Sequence, residues 1–498
     1  MAASRLTQHL RNYASAGLLS ALVGLCSFPL MTRSLSVADY GIVGLISSSI
    51  TLFIAIGKLG MQHAVIRFYS QIKNANIAFS VYQLNSTVCA VFLVLATAST
   101  ALFLLVGYQV LPRFLQYPDI SSLFLLGSAV VFVRVLSSGV MNFLRAQQRS
   151  ASVSIALSLA RFLNLTFIIS VVLITVLDPY AVLICLFFAE LAGASYAAYQ
   201  YRKDFYFDLS SVTGRLARVM LFYGMPLMVL ESLGLVLRLS DRYLIEAMLG
   251  VDQLGQYSAS YNLTAYLDII LLAALLQAVR PAYMQIWESE GAAPTHAFLS
   301  KGFHLYIVLG IPFVAMFAVT SPYLLGILAG PKYAVGTIII PYVALSFWIE
   351  GAMYFLAAGL YIFKNTKWLM FCSLFATSVN LGLNLLLIPV YGIAGAAAVT
   401  LLSYIVFMIA ATRLAFRHVR FSVQWRSSVI VSLASAVIFV VLSAQDFGND
   451  IFNFLLKGSI GTTILLTLLW VLVPELRTWV NDLMIRIIGK SKSTGKTE

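Results

Sequence analysis

Apolar residues in this chain come in runs of about 20 separated by short polar or basic stretches, and not in the alternation of a half-buried strand. A helix rises 1.5 Å per residue, so a run of about 20 spans ~30 Å of hydrocarbon. Such windows lie near 14–31, 41–66, 84–106, 120–143, 151–177, 179–200, 218–249, 254–279, 302–329, 336–363, 368–388, 391–412, 428–444 and 454–474. The pattern predicts an all-α polytopic membrane protein with about fourteen transmembrane helices. A membrane barrel is excluded, because its strands are alternating segments of roughly 10 residues. Residues 14–31 follow Arg5 and Arg11 as a signal peptide would, but no small-residue cleavage site leads into a soluble region, so they read as a retained first helix.

Composition supports this reading: 60% of the 498 residues are hydrophobic and 10% charged, against about 25% charged in a soluble domain. No hydrophilic stretch is long enough for an extramembranous domain. Cys26, Cys89, Cys185 and Cys372 each lie in an apolar run and read as packing residues. The five histidines have no metal-ligand spacing and the chain has no P-loop, so no metal, cofactor or ATP hydrolysis is expected. The longest external loop, about 13 residues around Gly107 to Asp119, is too short for the outer catalytic region of a polysaccharide polymerase. The chain is therefore not expected to be an enzyme.

The net charge of +13 is an orientation signal. With the N-terminus in the cytoplasm, about 23 of the 32 Lys and Arg residues fall on that side, and about five (Arg33, Arg113, Arg242, Lys332 and Lys457) fall outside. Both termini are thus expected in the cytoplasm, with contact to anionic membrane lipids and no nucleic-acid partner. Beyond Pro474, Leu476, Trp479, Val480, Leu483 and Ile487 recur at helical spacing, which predicts an interfacial helix and tail over 475–498.

Leu35, Val37 and Gly41 match Leu249, Val251 and Gly255 at an offset of 214, and Arg67 matches Arg280 at 213. An offset containing six spans relates the halves by an axis along the membrane normal. The expected organisation is a six-helix lobe over 1–201, a cytoplasmic linker over 202–217, a second six-helix lobe over 218–412, and two further peripheral helices within 413–474 that carry no mid-span ionisable residue. Two such pseudo-symmetric lobes enclose a central cleft. Pro29, Gly224 with Pro226, and Pro312 interrupt helical hydrogen bonding and let their helices bend.

Lys58, Arg134, Arg161 and Arg238, with Glu190, Glu231, Asp268 and Glu350, fall inside predicted spans. Each costs roughly 2.5–3.5 kcal/mol at mid-bilayer and must face protein or water. Helical spacing sets Arg161 beside Asn164, Glu231 and Arg238 on one stripe, and Asn380 beside Asn384. Arg134 and Arg161 have no acid within a turn of their own helix, so with Arg238, Asn164 and Asn380 they are candidate ligand-binding residues. The four acids are candidates for proton or sodium coupling, with interhelical salt bridges as the competing reading. Arg238 with Asp241 three residues on is equally a structural pair, and Lys58 is placed to snorkel. Arg67 and Arg280, with Asp241, are candidate gate residues, ordinary interfacial anchoring being the alternative for the two arginines.

The six-plus-six-plus-two order, Thr32-Arg-Ser-Leu-Ser-Val-Ala-Asp39-Tyr40-Gly41, Leu59-Gly-Met-Gln-His-Ala-Val-Ile-Arg67-Phe68-Tyr69, Leu239-Ser-Asp241-Arg242-Tyr243 and Asn380-Leu-Gly-Leu-Asn384 resemble the polysaccharide transporter branch of the multidrug/oligosaccharidyl-lipid/polysaccharide exporter superfamily. The resemblance covers essentially the whole chain. It implies a Wzx-type flippase for O-antigen or exopolysaccharide repeat units in the bacterial inner membrane. Its substrate is an undecaprenyl-pyrophosphate-linked oligosaccharide, its drive an ion gradient, and polysaccharide assembly proteins are possible partners. On this reading Arg134, Arg161 and Arg238 meet phosphate or acidic sugars. A cation-coupled multidrug antiporter of the same superfamily is the alternative, with a membrane-embedded polymerase or a scaffold further behind.

Overall fold

A computed structural model describes residues 2–74, 77–115 and 117–472, and all of their side chains except those of 2–16, 18, 268–278, 469, 471 and 472. Among the described residues every regular element is helical. The order is α1 (Ala2–Ser34), α2 (Val37–Gly57), α3 (Met61–Lys73), α4 (Val81–Leu105), α5 (Ile120–Ala146), α6 (Ser150–Ile174), α7 (Pro179–Tyr201) and α8 (Gly214–Leu249). It continues with α9 (Val251–Glu290), α10 (Ala292–Ala329), α11 (Ile340–Leu356), the short α12 (Ala358–Ile362), α13 (Thr366–Ala415), α14 (Trp425–Ser443) and α15 (Asp450–Leu472). Eleven stretches are long and apolar enough to cross a membrane by length and composition. Adding α1 and α9, and counting α13 as two, returns the fourteen predicted spans.

Three of those spans differ in detail. The second breaks at Leu59 and Gly60, both with positive φ, so it becomes α2 and α3. Spans 11 and 12 run on as α13, which reverses at Gly392 (φ 60°, ψ −145°). Asn384 and Thr400, eight residues to either side of that turn, both reach Asp241, so the two arms lie side by side. The external loop after α4 is shorter than expected, because a π turn at Val106–Val110 and a 3-10 turn at Leu111–Arg113 prolong the helix. The interfacial helix expected over 475–498 lies outside the described residues.

We call the ends of the helices that gather most Lys and Arg the basic face, and the other ends the opposite face. On the opposite face α2 packs along α9, and α1 along α9 and α10. The contact runs between repeat-equivalent positions. A Cβ on Gly41 would lie 2.7 Å from the Gly255 nitrogen and 2.9 Å from the Val251 oxygen, while one on Gly255 would lie 2.0 Å from the Val37 oxygen. Gly41 and Gly255, Val37 and Val251 thus meet reciprocally, as residues beside a two-fold axis must. Toward the basic face the halves meet differently: of the second half, α8 packs on α3 and α4. Helices α14 and α15 lie against α10, away from this seam.

Candidate functional site

Counting 1.5 Å per residue from the opposite-face end of each helix, Arg134, Arg161, Glu190, Arg238 and Glu350 all lie about 15–21 Å deep. Five helices of both halves therefore place charge in one mid-membrane layer. Two ion pairs form there. Arg134 of α5 donates to Glu190 of α7, and Arg238 of α8 donates to Glu350 of α11, which also accepts from the Tyr404 hydroxyl at 3.3 Å. The Arg238 guanidinium lies 5.3 Å from the Phe347 ring centroid. All four charged side chains keep between 19% and 30% of their surface open, so the pairs line space and are not sealed in packing.

Arg161, at the same depth on α6, is within electrostatic reach of the first of these pairs, Arg134 and Glu190 being the charged groups that act on it. Lys58, at the end of α2, is within electrostatic reach of Arg134, Arg145 and Glu231. Glu231 accepts from the Gln62 amide at 2.9 Å and lies 3.9 Å from His63, which joins α8 to α3. Nearer the opposite face, Arg238 and Arg242 enter a cavity of about 500 Å³ walled by α1, α2, α8 and α9, with Tyr40, Ser47, Ser48, Asn262 and Tyr266 among its polar groups. Arg242 donates to Ser48 and, at 3.3 Å, to Asn262. These two acceptors are themselves 214 residues apart, so one guanidinium bridges the repeat.

A second polar cluster lies behind this cavity. Asp241 is fully buried; it accepts from the Tyr257 hydroxyl (2.6 Å), the Thr400 hydroxyl (2.7 Å) and the Asn384 amide (3.5 Å). Asn384 also donates to Asn380 at 3.1 Å. The hydrogen-bond donors to this carboxylate are all neutral, and they come from α9 and from both arms of α13. Arg242 lies within electrostatic reach, and a buried carboxylate whose hydrogen bonds are all neutral is suited to carry a proton or accept a small cation.

Above the cavity, the opposite face is closed by reciprocal caps. Arg33, at the end of α1, donates to the carbonyls of Ile327 (2.6 Å) and Leu328 (3.0 Å) near the end of α10. Lys332, following α10, donates to the Leu35 carbonyl at 2.7 Å, and Tyr333 to the Thr32 carbonyl at 3.3 Å. Each cation therefore sits at the negative end of a helix belonging to the other half.

A family model described as polysaccharide biosynthesis protein matches residues 8–287, more than half of the chain. The chain belongs to the polysaccharide biosynthesis protein family. Its fold is shared with solved structures of a lipid flippase and of multidrug transporters. The structure titled lipid II flippase MurJ in its inward closed conformation is similar at a TM-score of 0.75, with 13% identity over 93% of this chain and 99% of that one. An inward-facing multidrug resistance MATE transporter is similar at 0.62 (12% identity, 86% and 95% covered). The MATE multidrug transporter DinF-BH gives 0.60 (14%, 82% and 95%). No curated protein sequence matches the chain. It is a multi-pass membrane protein that shares its fold with these flippase and transporter structures.

Set on this family member, the candidate residues sort clearly. Arg134, Arg161, Arg238, Glu190 and Glu350 share the charged layer. Asn164 lies a turn from Arg161, with its Oδ1 buried and without a hydrogen-bond partner among the described residues. Asn380 and Asp241 belong to the buried polar cluster, so Asp241 pairs neither with Arg238 nor at a helix end. Asp268 is on α9, where its side chain lies outside the described residues. Arg67 stacks on Tyr223 at 4.4 Å and Arg280 on Tyr361 at 4.0 Å, both at the basic face. Two cations read as external are buried: Arg242, in the cavity wall, and Lys457, fully enclosed on α15 and donating to Tyr323 at 2.6 Å. The peripheral helices thus do carry an internal charge. Of the cysteines, Cys185 and Cys372 are buried while Cys26 is exposed on α1.

Proposed function

We propose that this protein is a flippase that moves an undecaprenyl-pyrophosphate-linked oligosaccharide from the inner to the outer leaflet of the bacterial cytoplasmic membrane, by ion-coupled alternating access. The observation that carries the reading is the excess of cations over acids, among the described side chains, in and around the mid-membrane layer. Lys58, Arg134, Arg161, Arg238 and Arg242 stand against Glu190, Glu231 and Glu350. A pyrophosphate entering from the basic face meets positive potential in a medium of low dielectric, where charge interactions are strong. Ser47, Ser48, Asn262 and the tyrosines of the cavity supply donors and acceptors for sugar hydroxyls. The polyprenyl chain needs only hydrocarbon, and an apolar hollow of about 340 Å³ between α10, α11 and α14, walled by Ile311, Val314, Leu345 and Phe439, offers it.

Coupling falls to the Asp241 cluster. The other candidate acids with described side chains hydrogen-bond or pair with a base, whereas the hydrogen bonds of Asp241 all come from neutral groups, with Arg242 acting on it only through space. Binding of a proton or sodium ion there would alter the spacing of α8 and the two arms of α13, and α8 also carries Arg238 and Arg242. The chain performs no chemical step. A multidrug antiporter of the same superfamily is the competing reading, but a cavity dominated by cations repels the organic cations typical of drug efflux.

Reconstitution into liposomes holding a lipid-linked oligosaccharide, with imposed proton or sodium gradients, tests this directly. Gradient-dependent movement of the sugar between leaflets is expected, falling at least tenfold in R134A, R161A or R238A at equal protein content. Unchanged movement in all three would exclude the phosphate assignment. Drug efflux without sugar movement would favour the antiporter.

A further inference from the structure

Building on the flippase reading, we propose that Glu190 is a specificity-determining residue: an internal anion that occupies Arg134 and thereby keeps single-phosphate membrane lipids out of a site meant for a diphosphate. A cavity that takes its substrate from a leaflet is exposed to bulk phospholipid in vast excess over any lipid-linked sugar. Attraction to a phosphate alone would fill the site with the wrong lipid.

The arrangement around Arg134 supplies the discrimination. Arg134 is engaged by Glu190, reaching across from α7. Arg161, next to that pair on α6, has no hydrogen-bond or ion-pair partner among the described residues, and its charged neighbours are Arg134 and Glu190. One guanidinium is therefore open and the adjacent one is occupied. A lipid with one phosphate can take Arg161, but to reach Arg134 it must exchange one singly charged anion for another. That exchange gains little, because the displaced carboxylate has to be rehydrated or re-paired in a poorly solvated layer.

A diphosphate diester carries a charge on each phosphorus. Its first phosphate takes Arg161 without competition, and the second then attacks the Arg134–Glu190 pair at the high effective concentration of a tethered group. Two fork-shaped guanidinium contacts replace one. The Arg238–Glu350 pair differs, since Glu350 accepts a second hydrogen bond from Tyr404 and is thereby held more firmly.

The test is binding of farnesyl diphosphate and farnesyl monophosphate, which share one tail, to the purified full-length protein in nanodiscs at about pH 5, below the second phosphate pKa of about 6, where the two carry about two charges and one. Wild type is expected to prefer the diphosphate by about tenfold or more, the weight of one charge-assisted contact. E190Q should bind the monophosphate about tenfold more tightly, so that the preference collapses. E190D keeps the negative charge and should retain most of the preference, which separates loss of the anion from loss of the fold. A wild-type preference in E190Q overturns the inference. R161A distinguishes the two readings. If it binds diphosphate as well as wild type does, the phosphate site itself fails and the filter with it. If it binds weakly while E190Q keeps the wild-type preference, only the filter fails.

Discussion

Gly255→Ala is the most direct perturbation of the closed opposite face. Its new methyl carbon would stand 2.0 Å from the Val37 carbonyl oxygen and 2.7 Å from both the carbonyl carbon and Cγ1 of Val37. Even weakly attractive carbon–oxygen contacts sit at about 3.3–3.6 Å, so α2 and α9 must part by roughly 1 Å. The obstruction is backbone, not a side chain that can turn away, and overpacking of this kind costs about 1–3 kcal/mol. That cost applies only to the state in which α2 and α9 touch. The equilibrium should therefore shift by about 5- to 150-fold toward states open at this face. A cysteine at Ser47, which lines the cavity below the contact, reports the shift in a background where Cys26, Cys89, Cys185 and Cys372 are replaced. Labelling with a membrane-impermeant maleimide applied from the opposite face should be slow in the parent and faster by at least fivefold with Gly255→Ala. Gly41→Ala should act in the same direction but more weakly, since its closest approach is 2.7 Å. Equal labelling rates in a folded variant would refute the claim that this glycine pair limits opening.

Three further outcomes follow from named contacts. D241N keeps the shape of the side chain but removes its charge, so substrate binding should persist while dependence of transport on an imposed proton or sodium gradient disappears, as read in proteoliposomes. At Lys457, replacement by Met should leave thermal stability within about 1 kcal/mol of wild type, because an apolar residue of similar volume spares the desolvation of a buried cation; Y323F strands that cation and should cost about 1–3 kcal/mol. In the linker between α7 and α8, the Ser210 side chain and backbone N–H, with the Ser211 hydroxyl, hold the Asp208 carboxyl below its ordinary value of 3.8. A depressed carboxyl stabilises above its unfolded pKa and loses that effect as pH falls through the folded one, so linker protection against hydrogen exchange should be flat from about pH 8 to 5 and weaken below about 4, and D208N should show the weakened protection already at about pH 7.

Much of the architecture was legible because the membrane imposes it. Runs of apolar residues mark spans whatever their partners, and the bias of Lys and Arg marks their ends. The offset of 214 likewise anticipated that Gly41 and Gly255 are equivalent, though not that they touch. The break at Leu59 and Gly60 is marked in the sequence only by the two glycines Gly57 and Gly60, which a long apolar window averages away. Partnerships were the larger gap. Arg134 and Glu190 stand 56 positions apart on different helices, and helical spacing reports only what shares a helix. Asp241 looked like a partner for Arg238, three residues away, because local spacing was the one geometry available. Its actual donors, Tyr257, Asn384 and Thr400, come from α9 and from both arms of the hairpin at Gly392, and the turn that joins those arms is written in a single glycine.

The basic residues that break the positive-inside bias explain how such a protein can both close and open. Arg33 and Lys332 meet helix-end carbonyls across the halves, and contacts of this kind at an exposed helix end contribute about 0.3–1 kcal/mol each. When the face opens, cation and carbonyl both return to water or head groups, so little free energy separates the closed and open arrangements. The mid-membrane pairs obey the opposite arithmetic. Separating Arg134 from Glu190 with nothing to replace the carboxylate leaves an uncompensated charge in a partly buried layer, which costs several kcal/mol. If the protein works by alternating access, as proposed, weak contacts sit where the movement must be reversible, and strong ones where an incoming anion would relieve the cost of breaking them. On the proposed flippase function, a bound diphosphate would be the event that loosens the interior, and the face above would need no strong latch to respond.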